Sequence, residues 1–399
     1  MSATIDLPFS IPDELVPDFL GKLYYVSEDL EHFRLSEGRR DQVLFRTRAG
    51  QEERSPIIAD RIREVASKMC AGHRRFEAHV LVSHRLPRFS FQDDPRPLLE
   101  ERGELFEYGP GRFGLGPLLV SLLEFFDAEL LRLADRFSAE RRQFPALIGA
   151  DILDRCRYIR SFPHALTLTS HLREDLEAIQ DFARSARVED GRLTCASEHL
   201  DGVKCLLSPT ICFHYYAWLA DKHLTGPQAV TASGRCYRYE SGGLSSLERL
   251  WDFTMREIVF VGSQSHVLEQ RRRCIDAAAD LLDSWGLSYE IRSATDPFFV
   301  EGYSTQVAFQ AAFELKFEVR ADLPYAPGKT LAVGSFNYHQ DFFGRSLHIQ
   351  QESADNAFTA CVGFGMERLV WAFLSQYGLD PRDWPRKVRE GVSHAGRGR

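Results

Sequence analysis

The chain has 399 residues, 44% of them hydrophobic and 27% charged, a balance that supports a large buried core and excludes a disordered or fibrous protein. A formal net charge of -8 excludes broad wrapping by a nucleic-acid backbone, which needs clustered Lys and Arg, and leaves room only for a local basic patch. No run approaches the roughly 18 apolar residues of a membrane span. The opening residues, Met1 to Asp6, carry no basic-then-apolar leader, so the expected location is the cytoplasm. There the eight cysteines are expected to be reduced, and their irregular spacing, without a CxxC pair, excludes a zinc ribbon.

In chain order, residues 1–100 are expected to form an N-terminal α/β extension, with helices at 13–25 and 57–70 and a strand at 76–83. The Pro- and Asp-rich segment 92–97 reads as a linker into a second unit, residues 101–399. Apolar residues then recur at three and four places over 116–139 (Leu119, Leu122, Leu123, Phe126, Leu130), the pattern of an amphipathic helix. Another element begins near Phe144, Pro145 and Ala146. Ser208 followed by Pro209 predicts the N-cap and first residue of a helix reaching His223. A strand is expected at 235–240, a turn-rich loop at 241–246, a strand at 256–262 and a helix at 265–285. The last third reads as strands at 287–292, 313–320, 330–338, 346–351 and 357–362, then Gly363-Phe364-Gly365 and a helix from Met366. Strands in a meander with helices to one side predict an α+β fold built on an antiparallel sheet.

Two segments carry candidate chemistry. In Arg235-Cys236-Tyr237-Arg238-Tyr239-Glu240, strand alternation predicts that Arg238 and Glu240 project together, pairing a phosphate-binding fork with an acceptor for an amine. A cross-strand salt bridge is the structural alternative. In Cys361-Val362-Gly363-Phe364-Gly365-Met366-Glu367-Arg368, a strand of small residues runs into a helix, with Arg368 in its first turn. Taken singly, such glycine-rich turns are usually structural.

Together, and about 130 residues apart in this order, the two segments resemble motifs 2 and 3 of class II aminoacyl-tRNA synthetases, with Phe144-Pro145-Ala146 a weaker motif 1. Residues 231–240, 252–262, Ser335-Phe336-Asn337-Tyr338-His339-Gln340-Asp341 and 359–368 look like amino acid:[carrier protein] ligases, relatives of the zinc-dependent, methanogen-type seryl-tRNA synthetases. The resemblance covers residues 101–385, about seven-tenths of the chain. It implies activation of an amino acid by ATP as an aminoacyl-adenylate, then transfer to the phosphopantetheine thiol of a small carrier protein. It also implies a homodimer and no tRNA-gripping arm, and residues 1–100 show no long coiled-coil pattern. A seryl-type tRNA synthetase and a catalytically silent binding paralogue stay open as alternatives.

Carried over by position, the resemblance implies that Arg238 holds the α-phosphate and the substrate carboxylate, Glu240 meets the adenine side, Phe253 stacks on adenine and Arg368 binds the γ-phosphate. Mg²⁺ accompanies ATP. Cys212, Glu257 and Cys361, separated by 45 and 104 residues, match the family's zinc ligands. Three protein ligands leave tetrahedral Zn²⁺ one open position, where a substrate amine can bind. Buried, unliganded thiols are the alternative. Ser335, Asn337 and Asp341 fall where the family lines its amino-acid and ATP pocket. Seryl enzymes hold Mg²⁺ with an acid three places before the corresponding serine; Ala332 stands there in this chain. Arg271, Arg272 and Arg273 form a basic cluster that fits docking of an acidic carrier helix, or a solvated helix face.

Overall fold

The computed structural model describes residues 2–70, 73, 77–240, 244, 246–296, 310, 314–353 and 355–395. Its first unit contains Ser2–Asp6 (β1), Val16–Leu23 (α1), Leu30–Leu35 (β2), Gln42–Thr47 (β3) and Ser55–Cys70 (α2). The strands pair antiparallel in the order β1-β3-β2. Alternation along β3 buries Val43 and Phe45 in one cluster with Phe19 and Leu23 of α1 and Ile58 and Ile62 of α2.

The larger unit comprises Val80–His84 (β4), Pro117–Asp135 (α3), Glu140–Arg141 (β5), Cys212–Trp218 (α4), Gln228–Tyr237 (β6), Asp252–Gly262 (β7) and Gln264–Ser284 (α5). It continues through Tyr289–Ser293 (β8), Lys316–Asp322 (β9), Thr330–Tyr338 (β10), Phe342–Leu347 (α6), Phe358–Gly365 (β11), Met366–Tyr377 (α7) and Arg386–Ala395 (α8). Eight strands form one sheet in the order β4-β8-β9-β10-β11-β7-β6-β5. All neighbours are antiparallel except the short β5–β6 pair. Strand β4 thus belongs to this sheet, at its edge, and the strand expected at 76–83 begins at Val80; residues 74–76 lie outside the described residues.

Helices α3, α5 and α7 cover one face. Pro117 opens α3, and its buried Leu119, Leu122, Phe126 and Leu130 share a core with Val267 and Leu282 of α5, Leu369 and Phe373 of α7, and Ile258, Phe260, Phe336 and Val362 of the sheet. Arg256, on the same face of β7, donates to both Asp127 carboxylate oxygens at 2.8 and 2.6 Å and ties α3 to the sheet. Among the described residues the opposite face is only partly covered. There Val259 and Val261 pack with Tyr215 and Tyr216 of α4 and Phe343 of α6.

Register places short side chains in the middle of that open face. One row reads Ala232, Glu257, Gly363, Ser335 and Glu318 across five strands; the next includes Val259, Cys361, Asn337 and Lys316. Between β9 and β10 the pairing skips Val333, which is buried, so that Ala332 joins the open face.

Several expected elements are corrected. Ser208 and Pro209 do not open a helix: Ser208 N–H donates to Ala146 O and its carbonyl accepts from Tyr237 N–H, so the residue is held beside β6. Helix α4 starts at Cys212 and stops at Trp218, well short of His223. The strand expected at 235–240 ends at Tyr237, so Arg238 and Glu240 lie just beyond it, with Arg238 N–H still donating to Trp251 O at 2.9 Å, and residues 241–243 and 245 lie outside the described residues. No strand forms over 346–351: residues 346 and 347 end α6, His348 follows in the left-handed conformation at φ 54°, and Gln350 makes only isolated bridges to His223 and Asn356. Among the described residues no helix is long and apolar enough to cross a membrane.

Candidate active site

Strands β7 and β11 and helix α4 bring Glu257, Cys361 and Cys212 together, with one ligand atom from each within 4.8 Å of the others and all three residues buried. Gly363 makes room for this. It stands directly opposite Glu257, and a Cβ there would lie 2.7 Å from Met255 Cε and 3.5 Å from Glu257 Cγ. Glu257 Oε1 accepts from the Thr210 hydroxyl at 2.6 Å and the Ile211 N–H at 3.1 Å, while Oε2 accepts from the Cys212 N–H at 3.0 Å. Burial, with the Cys361 charge added, pushes the Glu257 carboxyl up to about 7 despite those donors. Burial likewise raises the Cys212 thiol, while hydrogen bonding from Cys212 and the neighbouring His339 holds Cys361 well below the usual thiol range. Three acidic groups enclosed together repel one another once ionised, and a cation offsets that repulsion. Two sulfurs and one carboxylate within reach of a common point are a donor set for tetrahedral Zn²⁺, so the residues fit the metal.

Of the two arginines of the expected nucleotide site, Arg238 directly follows β6 and Arg368 lies in the first turn of α7. Arg238 Nε donates to Pro209 O at 2.9 Å, and its guanidinium carbon lies 5.4 Å from the centre of the Phe253 ring. Arg238 and Phe253 are therefore neighbours. Arg368 Nε donates to Glu248 O at 2.6 Å and Nη1 lies 3.4 Å from Ala332 O. Glu240 pairs with Arg249 at 3.2 Å, an arrangement the sequence presented only as a generic salt-bridge alternative.

On β10, Asn337 Nδ2 donates to Ser335 Oγ at 3.1 Å and lies 3.5 Å from Cys361 Sγ, so both residues join the metal corner. Asp341 does not. It sits at the start of α6, pairs with Arg345 at 3.1 Å and lines a separate polar cavity of about 400 Å³ with Ser263, Gln264, Asp355 and Asn356. Strand β10 has ended by then, at Tyr338, and the turn carries Asp341 away from the row of Ser335 and Asn337.

The basic cluster on α5 is divided. Arg271 is buried, donates to Glu314 O at 2.8 Å and stacks 4.9 Å from the Phe317 ring centre. Arg272 and Arg273 are exposed, the first paired with Glu269 at 3.0 Å and Asp276 at 3.1 Å, the second lying over Phe137.

Three contributors, Thr210, His339 and Lys316, stand outside the residues singled out from the sequence. Thr210 supports Glu257, and His339 Nε2 lies 3.7 Å from Cys361 Sγ. On β9, Lys316 pairs with Asp296 at 2.6 Å and with Glu318 at 3.0 Å on the strand beside Ser335 and Asn337. His339 lies inside the already notable run 335–341, and the alternating charges Lys316, Glu318 and Arg320 were a visible signal for one face of a strand. Thr210 announced itself by nothing in the sequence.

Comparison with known proteins bears on the fold and the family. The tRNA synthetase class II core domain (G, H, P, S and T) matches residues 199–377. Over 298 residues the chain is 34% identical to amino acid–[acyl-carrier-protein] ligase 2 of Bradyrhizobium diazoefficiens, covering 72% of this chain and 85% of the relative. It is 26% identical over 401 residues to the type-2 serine–tRNA ligase of Methanopyrus kandleri, covering 95% of this chain and 73% of the relative. Among solved structures, M. kandleri SerRS in complex with A. aeolicus tRNASec superposes with a TM-score of 0.72 at 21% identity, over 98% of this chain and 77% of that one. The antiparallel sheet and its helical layer are thus the class II synthetase fold. The chain belongs to the class II synthetase-like family that holds the amino acid–[acyl-carrier-protein] ligases and the type-2 seryl-tRNA synthetases.

Proposed function

We propose that the chain joins an amino acid to ATP as an aminoacyl-adenylate and passes the acyl group to the phosphopantetheine thiol of a carrier protein. In the first step a carboxylate oxygen of the amino acid attacks the α-phosphorus and the bond to pyrophosphate breaks. In the second the carrier's sulfur attacks the acyl carbon, AMP leaves with the carboxyl oxygen, and the thiol proton is lost. The protein's part is to position charge, since adenylyl transfer needs fixed cations more than covalent help.

Arg238 meets the α-phosphate and the substrate carboxylate, Phe253 stacks on adenine with Glu240 at its edge, and Arg368 takes the γ-phosphate. Ser335 and Asn337 line the amino-acid side. Cys212, Glu257 and Cys361 would hold a zinc ion, which would supply a Lewis-acid position for the neutral α-amine of the substrate. Mg²⁺ enters with the ATP phosphates. Two copies of the chain work as a homodimer, and the carrier's acidic helix is met by Arg272 and Arg273, the exposed pair of the cluster.

The observation that carries this reading is the convergence of Cys212, Glu257 and Cys361 within 4.8 Å, next to the row that bears Ser335 and Asn337. The 34% identity to a carrier-protein ligase favours a thiol acceptor. The second reading, a tRNA acceptor, is favoured by a likeness to a type-2 serine–tRNA ligase that reaches 95% of the chain and so includes the N-terminal unit. Incubation with ATP, a labelled amino acid and either holo-carrier protein or total tRNA separates them. Label on the carrier, released by hydroxylamine as a thioester, is the expected result. Label on tRNA alone overturns it, and absence of amino-acid-dependent ATP–pyrophosphate exchange overturns both.

A further inference from the structure

The ladder between β7 and β11 stops where β11 does. Met255 is the last residue of β7 with a partner there, Gly365, because Met366 begins α7. The next N–H along β7 belongs to Thr254 and has no strand to receive it on that side. The carboxylate of Glu367 takes the strand's place: the Thr254 N–H donates to Oε2 at 2.8 Å and to Oε1 at 3.0 Å. Glu367 is buried, only 2% exposed, and Arg235 Nη1 lies 3.4 Å from the same Oε1. Arg235 stands directly opposite Thr254 on β6 and also pairs with Asp252.

One carboxylate therefore joins three elements, and each of them carries a nucleotide group close by. Phe253 precedes Thr254, Arg238 follows Arg235 by three residues, and Arg368 follows Glu367. The activation chemistry above makes no use of Glu367. A strand that loses a neighbour on one side tends to fray at its end, and the end of β7 is where Phe253 sits.

We infer that Glu367 is a positioning residue for ATP, acting through Thr254 to hold the Phe253 ring and through Arg235 to hold the end of β6 that leads into Arg238. The inference rests on the ATP site proposed above. It differs from a general packing role in what it predicts: loss of Glu367 weakens the nucleotide side and spares the amino-acid side, because none of its contacts reaches Cys212, Glu257, Cys361, Ser335 or Asn337.

The test compares wild type, Glu367→Gln and Glu367→Ala in amino-acid-dependent ATP–pyrophosphate exchange, with folding checked by thermal melting. Glu367→Gln keeps a carbonyl oxygen for the Thr254 N–H and loses the charge facing Arg235; Glu367→Ala loses both. The ATP KM is expected to rise about threefold for Gln and roughly tenfold or more for Ala, as expected for losing one or two buried hydrogen bonds to a charged group. The amino-acid KM stays within about twofold of wild type. If the Ala variant does not fold, the Gln variant decides alone. An unchanged ATP KM in folded variants, or equal rises in both KM values, overturns the inference. If wild type exchanges pyrophosphate with no amino acid, the proposed reaction falls, and the same order of ATP Kd values by calorimetry still tests Glu367; no binding of ATP by wild type overturns both.

Discussion

Glu257 accepts the backbone N–H of Cys212 at 3.0 Å, so the carboxylate offered to a metal also anchors the first turn of the helix that presents a second ligand. The same carboxylate satisfies Thr210 and Ile211. Glu257→Ala is therefore expected to lose metal and, by stranding three buried donors, to cost about 3 kcal/mol of stability. Glu257→Gln, which keeps one acceptor oxygen, loses metal with a smaller cost. Urea unfolding beside elemental analysis reads both quantities, and equal stability of the Ala variant and wild type counts against the anchoring role.

Phe253 lies beside Arg238 with its ring 5.4 Å from the guanidinium carbon. Stacking of a base on an aromatic ring is worth about 1–3 kcal/mol. Phe253→Ala is expected to raise the ATP KM roughly tenfold in pyrophosphate exchange, with Phe253→Tyr near wild type. A selective rise in the amino-acid KM contradicts the placement.

The main sheet was legible wherever strands alternate cleanly. Lys316–Asp322 shows one apolar residue at every second place, and Leu119, Leu122 and Phe126 mark the buried face of α3 from spacing alone. The metal corner was legible only through the motif pattern. Residues 212, 257 and 361 meet because β7 and β11 pair in one register and α4 starts where it does, and neither fact is local in sequence. The misreadings share a cause, since Ser208 and the 346–351 segment are governed by distant partners. Ser208 is claimed by Ala146 and Tyr237, while Leu347 and Gln350 exchange backbone hydrogen bonds with Asp221, Lys222 and Leu224, more than 120 residues away. Arg271 looked like surface charge, but its carbonyl partner, Glu314, is 43 residues away.

His164 packs edge-on against Tyr25 of the N-terminal unit, with ring centres 5.1 Å apart. Burial, reinforced by Lys22 and opposed by Glu240, lowers its pKa from 6.5 to about 4. Between those values the unfolded chain binds the proton and the folded chain does not, so this contribution is complete above pH 6.5 and is lost as pH falls toward 4. His164→Gln is expected to flatten the dependence of the urea midpoint on pH across that window. An unaltered slope in the variant excludes His164 as its source.

Only Arg272 and Arg273 of the basic cluster face solvent. Reversing both to Glu is expected to lower carrier loading about tenfold or more at low salt while leaving pyrophosphate exchange within twofold of wild type. Reversing the buried Arg271 destabilises the fold instead, because a carboxylate there faces the Glu314 carbonyl. Equal loss of exchange and loading in the Arg272→Glu, Arg273→Glu protein removes this surface from consideration.

The account depends most on the grouping of Cys212, Glu257 and Cys361. Substitution of cobalt into the purified full chain tests it directly, because tetrahedral cobalt bound to sulfur absorbs strongly in the visible and near-ultraviolet. We expect one cobalt per chain with a sulfur-to-metal band, a spectral change on adding the activated amino acid, and loss of the band in Cys361→Ser. A wild-type protein that binds no metal yet forms the adenylate at full rate contradicts the account.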